Sequence, residues 1–156
     1  MAVNGNVDFR DLEKFRQNIE KNLGGNQVDL FIEACAKELA ARLLAKVIKR
    51  TPVGQYPKSS GKKGGTLKRG WTGEKSQSAS AYAQGLKVNH FGNVYVIEII
   101  NPVKYAPYVE FGHRTRGGDG WVEGKFMLTI SEQEIERDAP KILENKLKKK
   151  LGECFK

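Results

Sequence analysis

The sequence contains few of the residues on which catalysis and metal binding most often depend. Its 156 residues include two histidines, His90 and His113, and two cysteines, Cys35 and Cys154. Neither histidine has another histidine or a cysteine at metal-ligand spacing, so we expect no zinc site. Two cysteines so far apart are not a disulfide framework. We interpret Cys35, which lies in an apolar stretch, as a small buried hydrophobic residue.

Further absences narrow the class of function. No apolar run approaches the ~20 residues that cross a bilayer, and we expect no membrane span. The nucleophile elbow Gly-x-Ser-x-Gly is missing. Gly65 and Gly70 have the spacing of a phosphate loop, but Trp71 stands where its lysine belongs. A metal-dependent nuclease remains an alternative, because it would use a pair of carboxylates such as Glu98 and Glu110. The simpler interpretation of Glu98 is the outward-facing residue of a strand. We therefore predict no enzymatic activity and no cofactor.

Acidic residues are missing from one long segment. Lys and Arg number 27 against 18 acids, a net charge of +9, and no acid occurs between Leu39 and Gly73. The basic residues of that window account for the whole excess, which predicts contact with an anionic partner or, equally, a solvated, self-repelling loop. With Tyr56 and Trp71 interleaved, the segment 42–69 could also bind nucleic acid independently of sequence. The basic residues are Arg42, Lys46, Lys49, Arg50, Lys58, Lys62, Lys63, Lys68 and Arg69.

Helical periodicity marks both ends of the chain. Residues 8–50 predict two helices, the first capped by Asp8 and ended by Gly24-Gly25. The second, from about Asn26 to Arg50, carries a wide apolar stripe. Residues 125–151 predict a C-terminal helix that Pro140 should kink or split.

The middle of the chain predicts a long basic loop, then strands. The loop covers residues 51–70 and the strands 71–101, followed by a short helix over 105–112 and a second loop over 113–120. We expect one α+β domain over residues 1–156, with a small antiparallel sheet of about three to four strands packed against two long helices and with long flexible loops. The individual strand candidates are 70–79, 82–89 and 94–100, with a hairpin turn at 90–93.

The short helix carries three aromatic residues at spacings of three, namely Tyr105, Tyr108 and Phe111. Burial against the last helix is the interpretation we favour, and a subunit interface is the alternative.

Three stretches, in this order, resemble motifs of the bacteriophage tail-component family of neck and tail-completion proteins. The first is Thr51-Pro52-Val53-Gly54, resumed over Gly65–Trp71 after an insertion over Gln55–Gly64 that the family pattern lacks. The second runs from Asn101 to Arg114, with His113 in place of the usual threonine. The third is Gly124-Lys125-Phe126-Met127-Leu128, at the start of the last predicted helix. The resemblance covers roughly residues 28–150. Its motif residues are Thr51, Pro52, Gly65, Leu67, Tyr105, Ala106, Tyr108, Val109, Glu110, Phe111, Gly112 and Phe126.

The resemblance implies a structural virion protein of a tailed phage or phage-tail-like particle, located in the tail or neck and assembled in the host bacterial cytoplasm. There it would form a ring at the head–tail junction around the DNA or the tail-tube channel. Its implied partners are further copies of itself, with a hexamer expected, the neighbouring connector and tail tube or terminator proteins, and DNA in the channel. We expect contacts through the loops Gln55–Gly64 and Arg114–Gly120. The candidate contact residues are Lys58, Lys62, Lys63, Lys68, Arg69, Arg114 and Arg116.

Overall fold

The computed structural model describes residues 10–75, 77–92 and 94–155, with side chains from residue 17 onward. The predicted cap at Asp8 lies outside these residues. Six α-helices and a 3-10 turn, Lys58–Ser60, form in this part of the chain. The helices are α1 Arg10–Leu23, α2 Gln27–Arg50, α3 Thr66–Gly70, α4 Ala79–Gln84, α5 Ala106–Phe111 and α6 Met127–Glu153.

Four short strands pair as two antiparallel hairpins. In the first, β1 (Val88–Phe91) pairs with β2 (Val94–Ile97). In the second, β3 (Gly112–Arg114) pairs with β4 (Trp121–Glu123). The α+β class is thus confirmed, while the described strands form two separate two-stranded sheets instead of one.

The chain groups into two compact units. One contains the residues up to Cys35 and Pro140–Lys156, and the other contains Ala36–Ala139. In the first unit, the Asn18 amide donates to the Cys154 carbonyl at 3.2 Å, and both cysteines are buried. The burial predicted for Cys35 is confirmed. No helix among the described residues is both long and apolar enough to cross a bilayer.

The unit 36–139 has a continuous apolar core. The second half of α2 contributes the i, i+4 and i+7 positions Ala40, Leu44 and Val47, all buried, as a helical stripe facing a core requires. Trp71, after α3, and Met127, at the start of α6, complete its centre. Tyr82, Ile97 and Val109 pack around it, so α4, β2 and α5 all contribute to this cluster.

The structure differs from the prediction over residues 66–84. Thr66–Gly70, predicted as the end of the basic loop, forms α3, which buries Leu67, with Trp71 buried just after it. Residues 79–84 form α4, whose N-cap Ser78 accepts a hydrogen bond from the Ala81 amide at 3.1 Å. The strand prediction over 70–79 is wrong, because its described residues include the end of α3, a turn over 71–74 and the start of α4. The strand prediction over 82–84 is also wrong, because a serine cap followed by alanines at helical spacing outweighs the weak alternation.

Two further boundaries differ from expectation. Residues 113–120, predicted as a loop, include most of β3 and the turn that joins it to β4, and the Thr115 amide donates to the Gly120 carbonyl at 3.0 Å. The helix α6 continues through Pro140 as a single element, so the predicted split is wrong. The β1–β2 hairpin and the short helix α5, with Pro107 in its first turn, are confirmed.

Candidate functional site

A buried hydrogen bond joins the two ends of the first motif stretch. The Trp71 Nε1–H group donates to Thr51 Oγ1 at 2.8 Å, and that hydroxyl donates to the Val47 carbonyl at 2.7 Å. Trp71 is 3% exposed. An indole so buried cannot stack on a nucleic-acid base, so that part of the predicted binding role is wrong. Trp71 instead fastens the end of the basic loop to the end of α2.

The first and second motif stretches meet at Asn101. Its amide nitrogen donates to the Leu67 carbonyl at 2.7 Å, and its Oδ1 accepts from the Val103 amide at 3.1 Å. Gly70 lies directly against Asn101, where a Cβ atom would overlap Oδ1. The small residue after Arg69 is thus explained by the close approach of the segment that leads into α5.

The second and third stretches meet at Glu110, which is 6% exposed. Its carboxylate accepts hydrogen bonds from the Leu128 amide at 2.9 Å, the Thr129 amide at 2.9 Å and the Thr129 hydroxyl at 2.7 Å. These amides belong to the first turn of α6, where N–H groups lack partners within the helix. Glu110 therefore caps α6 from outside, a role that the sequence analysis missed.

A signal for this cap was present in the sequence. Phe126, directly before α6, offers no side-chain acceptor of the kind that serine, threonine, asparagine or aspartate provides. It also has a left-handed backbone, φ 46°, and its amide donates to the Glu110 carbonyl at 3.0 Å. A helix without its own cap residue requires an acceptor from elsewhere in the chain.

Gly112 ends α5 at a position where no residue with a Cβ atom fits. Its φ is 86°, and an added Cβ would lie 2.5 Å from the Val122 carbonyl oxygen and 2.8 Å from Trp121 Cζ2. Both the left-handed backbone and the close approach of β4 require glycine. The motif therefore fixes where β3 and β4 begin to pair.

The three aromatic residues on and beside α5 point outward. Tyr105 is 45%, Tyr108 58% and Phe111 62% exposed, whereas Ala106 and Glu110 on the opposite side are buried. The predicted burial of the aromatics against the last helix is wrong. A helix of six residues can bury one side only, and here that side belongs to the small residue and the capping carboxylate.

Two more aromatic side chains extend this exposed row. The rings of Phe111 and Phe126 lie 6.5 Å apart in an edge-to-face arrangement, and Trp121 lies against Gly112. We refer to the five residues together as the aromatic face. They are Tyr105, Tyr108, Phe111, Trp121 and Phe126, each between 38% and 62% exposed.

The basic residues of segment 42–69 fall into two groups: three on α2 form ion pairs, and most of the others are exposed on the loop. On α2, Arg42 pairs with Glu38 at 3.0 Å, and Lys46 pairs with Glu134 at 2.9 Å. Arg50 also binds Glu134 through its guanidinium. Hydrogen bonds from Arg50 and then Lys46 lower the pKa of Glu134 to about 2, and the same contact raises the pKa of Arg50. Two acids from outside the window therefore offset part of the positive charge on α2.

The remaining positive charges lie mainly on the loop. Lys58, Lys62 and Lys63 are exposed, with the Lys62 ammonium 5.9 Å from the ring centre of the exposed Tyr56. Arg69 is exposed and donates to the Gly64 carbonyl at 3.3 Å. The other predicted contact residues are Lys68, half-buried on α3, and Arg114 and Arg116, exposed on the β3–β4 hairpin.

Glu98 and Glu110, the two carboxylates considered for catalysis, lie in different environments. Glu98 is exposed just after β2, whereas Glu110 is committed to the α6 cap. His90 stacks on Tyr95 at 4.1 Å, and the half-buried His113 lies edge-on to Tyr108 at 5.9 Å. In the described part of the chain, no group of three or more histidine, cysteine or acidic side chains could hold a metal ion.

The geometry thus defines a class of protein. It is a small α+β protein in which buried motif residues connect separate segments of the chain, while the aromatic face and the basic loop are exposed to solvent. A family model described as "Bacteriophage HK97-gp10, putative tail-component" matches residues 13–112. The chain belongs to this HK97-gp10-like family, and its predicted membership of a bacteriophage tail-component family is confirmed. Neither the curated proteins nor the solved structures gave a match. A structural role in the phage tail follows from the family.

Proposed function

We propose that this protein is a neck or tail-completion subunit that assembles into a ring at the head–tail junction, around the DNA or the tail-tube channel. The aromatic face is the observation that carries the proposal. Within one motif stretch, Ala106 and Glu110 hold the unit together, while Tyr105, Tyr108 and Phe111 remain outside the core. Contiguous exposed aromatic surface is typical of protein–protein interfaces. The proposed role requires neither catalysis nor a cofactor.

Native mass spectrometry of the purified protein and cryo-electron microscopy of purified particles test this proposal. We expect a closed ring, with six copies as the expected order, and density for the protein at the neck, in contact with connector and tail tube or terminator proteins. A gene deletion should yield filled heads and separate tails that do not join. A protein that stays monomeric and is missing from purified particles would refute the proposal.

A second function, sequence-independent binding of nucleic acid, is favoured by the basic loop. Lys58, Lys62 and Lys63 are all exposed on this loop, and among the described residues no ion pair engages them. Phosphate contacts made by such lysines release counterions, so affinity should fall steeply with salt. The two functions are compatible, since a ring around the channel encloses DNA.

Replacing Lys58, Lys62 and Lys63 together by glutamine tests the second function. The slope of log affinity for duplex DNA against log salt should fall by about 3, since each lost phosphate contact lowers it by about 1. Lys75→Gln, Lys87→Gln and Lys104→Gln, combined in one variant, form the matched control, because these lysines are also exposed. Equal slopes for the two variants would exclude the loop as the binding site.

A further inference from the structure

The inserted segment Gln55–Gly64 forms a loop whose two ends lie against each other. A Cβ atom at Gly64 would overlap the carbonyl oxygen of Gly54. Within the loop, the Ser60 hydroxyl donates to the Pro57 carbonyl at 2.7 Å. Compact surface loops whose ends are close are frequently functional. Because these contacts preorganise the loop, a partner that binds it bears less of the entropy cost of ordering it.

A cavity of about 220 Å³ lies where this loop meets α5. Pockets for drug-sized ligands are larger, about 300–1,000 Å³, so this cavity suits a single side chain together with the group next to it. Val53, Leu67 and Val109 give it aliphatic walls, and the half-exposed Tyr56 and Tyr105 also line it. The cavity therefore has an apolar part that is open to a partner.

The charge at this cavity is positive. Of the described residues that line it, Lys63 is charged and none is acidic. Arg69 adds a second positive charge, because its Nη1 lies 3.0 Å from the position of a Cβ atom on Gly65, another lining residue. Aliphatic walls beside a cation match a ligand that is apolar at one end and anionic at the other. A peptide with a carboxylate next to an aliphatic side chain has both parts, whereas a phosphate backbone has only the charge.

We propose that this cavity binds a short acidic segment of a neighbouring virion protein, with an aliphatic side chain inside and the adjacent carboxylate on Lys63. This inference rests on the neck role proposed above and names a contact for one of its partners. Tyr105 belongs both to the cavity and to the aromatic face, so a partner that covers that face reaches the cavity. A second copy of this chain is a poorer partner, because two chains that each carry a net charge of +9 repel each other.

Titration of the purified protein with N-acetyl-leucine, followed by NMR, tests the ligand chemistry. This probe joins an isobutyl group to a carboxylate, and it should bind in about the millimolar range and shift the amide signals of Gly65 and Val109. N-acetyl-leucinamide lacks the charge, and sodium acetate lacks the side chain. Each of these two compounds should bind at least about threefold more weakly than N-acetyl-leucine.

The variant Lys63→Gln tests the cation. It should weaken binding of N-acetyl-leucine by about threefold to tenfold, a loss limited by the exposure of Lys63, and leave binding of the amide unchanged. Lys58→Gln is the matched control, since Lys58 is exposed on the same loop outside the cavity lining, and it should bind like the wild type. Failure of N-acetyl-leucine to bind, equal binding of the acid and its amide, or unchanged binding by Lys63→Gln would overturn the inference.

Carbodiimide treatment of purified particles identifies the partner, because this reagent joins a lysine amine to a carboxylate in contact with it. Mass spectrometry should find Lys63 linked to an aspartate, a glutamate or the carboxyl terminus of a different virion protein. A link to another copy of this chain, or an unlinked Lys63 that only DNA protects, would overturn the inference. The ring proposal fails separately, when the protein is missing from the neck although the purified protein binds N-acetyl-leucine.

Discussion

Glu110 provides a measurable link between the family motif and stability. Replacing it with alanine removes the acceptor for two partly buried amides of α6 and for the Thr129 hydroxyl. Each buried donor left without a partner costs about 1–3 kcal/mol, and a lost helix cap costs about 0.5–2 kcal/mol. Since water can enter the vacated space, we expect Glu110→Ala to lower the free energy of unfolding by about 3 kcal/mol.

Glu110→Gln separates charge from geometry. The amide keeps one acceptor oxygen but loses the second oxygen and the negative charge that favours a helix N-terminus. We expect a loss of about 1–1.5 kcal/mol, between wild type and Glu110→Ala. Glu98→Gln, at an exposed position, is the matched control and should stay within about 0.5 kcal/mol of wild type.

Urea unfolding followed by tryptophan fluorescence measures these differences. Both tryptophans, Trp71 and Trp121, lie in the unit 36–139, so the signal reports on the unit that contains the cap. In thermal unfolding, Glu110→Ala should lower the Tm by about 6–12 °C, at about 2–4 °C per kcal/mol. A loss below about 1 kcal/mol for Glu110→Ala, or equal losses for the alanine and glutamine variants, would refute the capping argument.

Two other predictions concern the same unit. The pKa of Glu134 is lowered from 4.5 to about 2 in the folded protein, so its contribution to stability is present above pH ~4.5 and disappears as pH falls toward 2. The stability difference between wild type and Glu134→Gln, measured by urea unfolding, should therefore be constant at neutral pH and shrink below pH ~4.5. A difference that stays the same down to pH 2 would show that the ion pairs of Glu134 do not stabilise the fold. Gly112→Ala should lower the free energy of unfolding more than Gly118→Ala does, by about 1–3 kcal/mol. Both glycines have positive φ, but only Gly112 has backbone atoms within 4 Å of the added Cβ. Equal losses in urea unfolding would show that β4 moves away from the added methyl group without cost.

Local sequence was enough to predict the long helices, the β1–β2 hairpin, the short helix and the α+β class. Each depends on contacts between near neighbours, such as the i, i+4 stripe of α2 or the proline in the first turn of α5. The order of three motif stretches was also enough for the family, because that order is a property of the chain alone.

The side that each motif residue faces was decided by tertiary structure. Tyr105, Tyr108 and Phe111 have the spacing of a buried stripe, yet they lie outside, because Glu110 must reach the unpaired amides of α6 and turns the opposite side of α5 inward. Trp71 lies in a basic segment, yet Thr51, twenty residues earlier, draws it into the core. Such outcomes depend on partners distant in sequence, whose hydrogen-bonding needs appear only when the chain has folded.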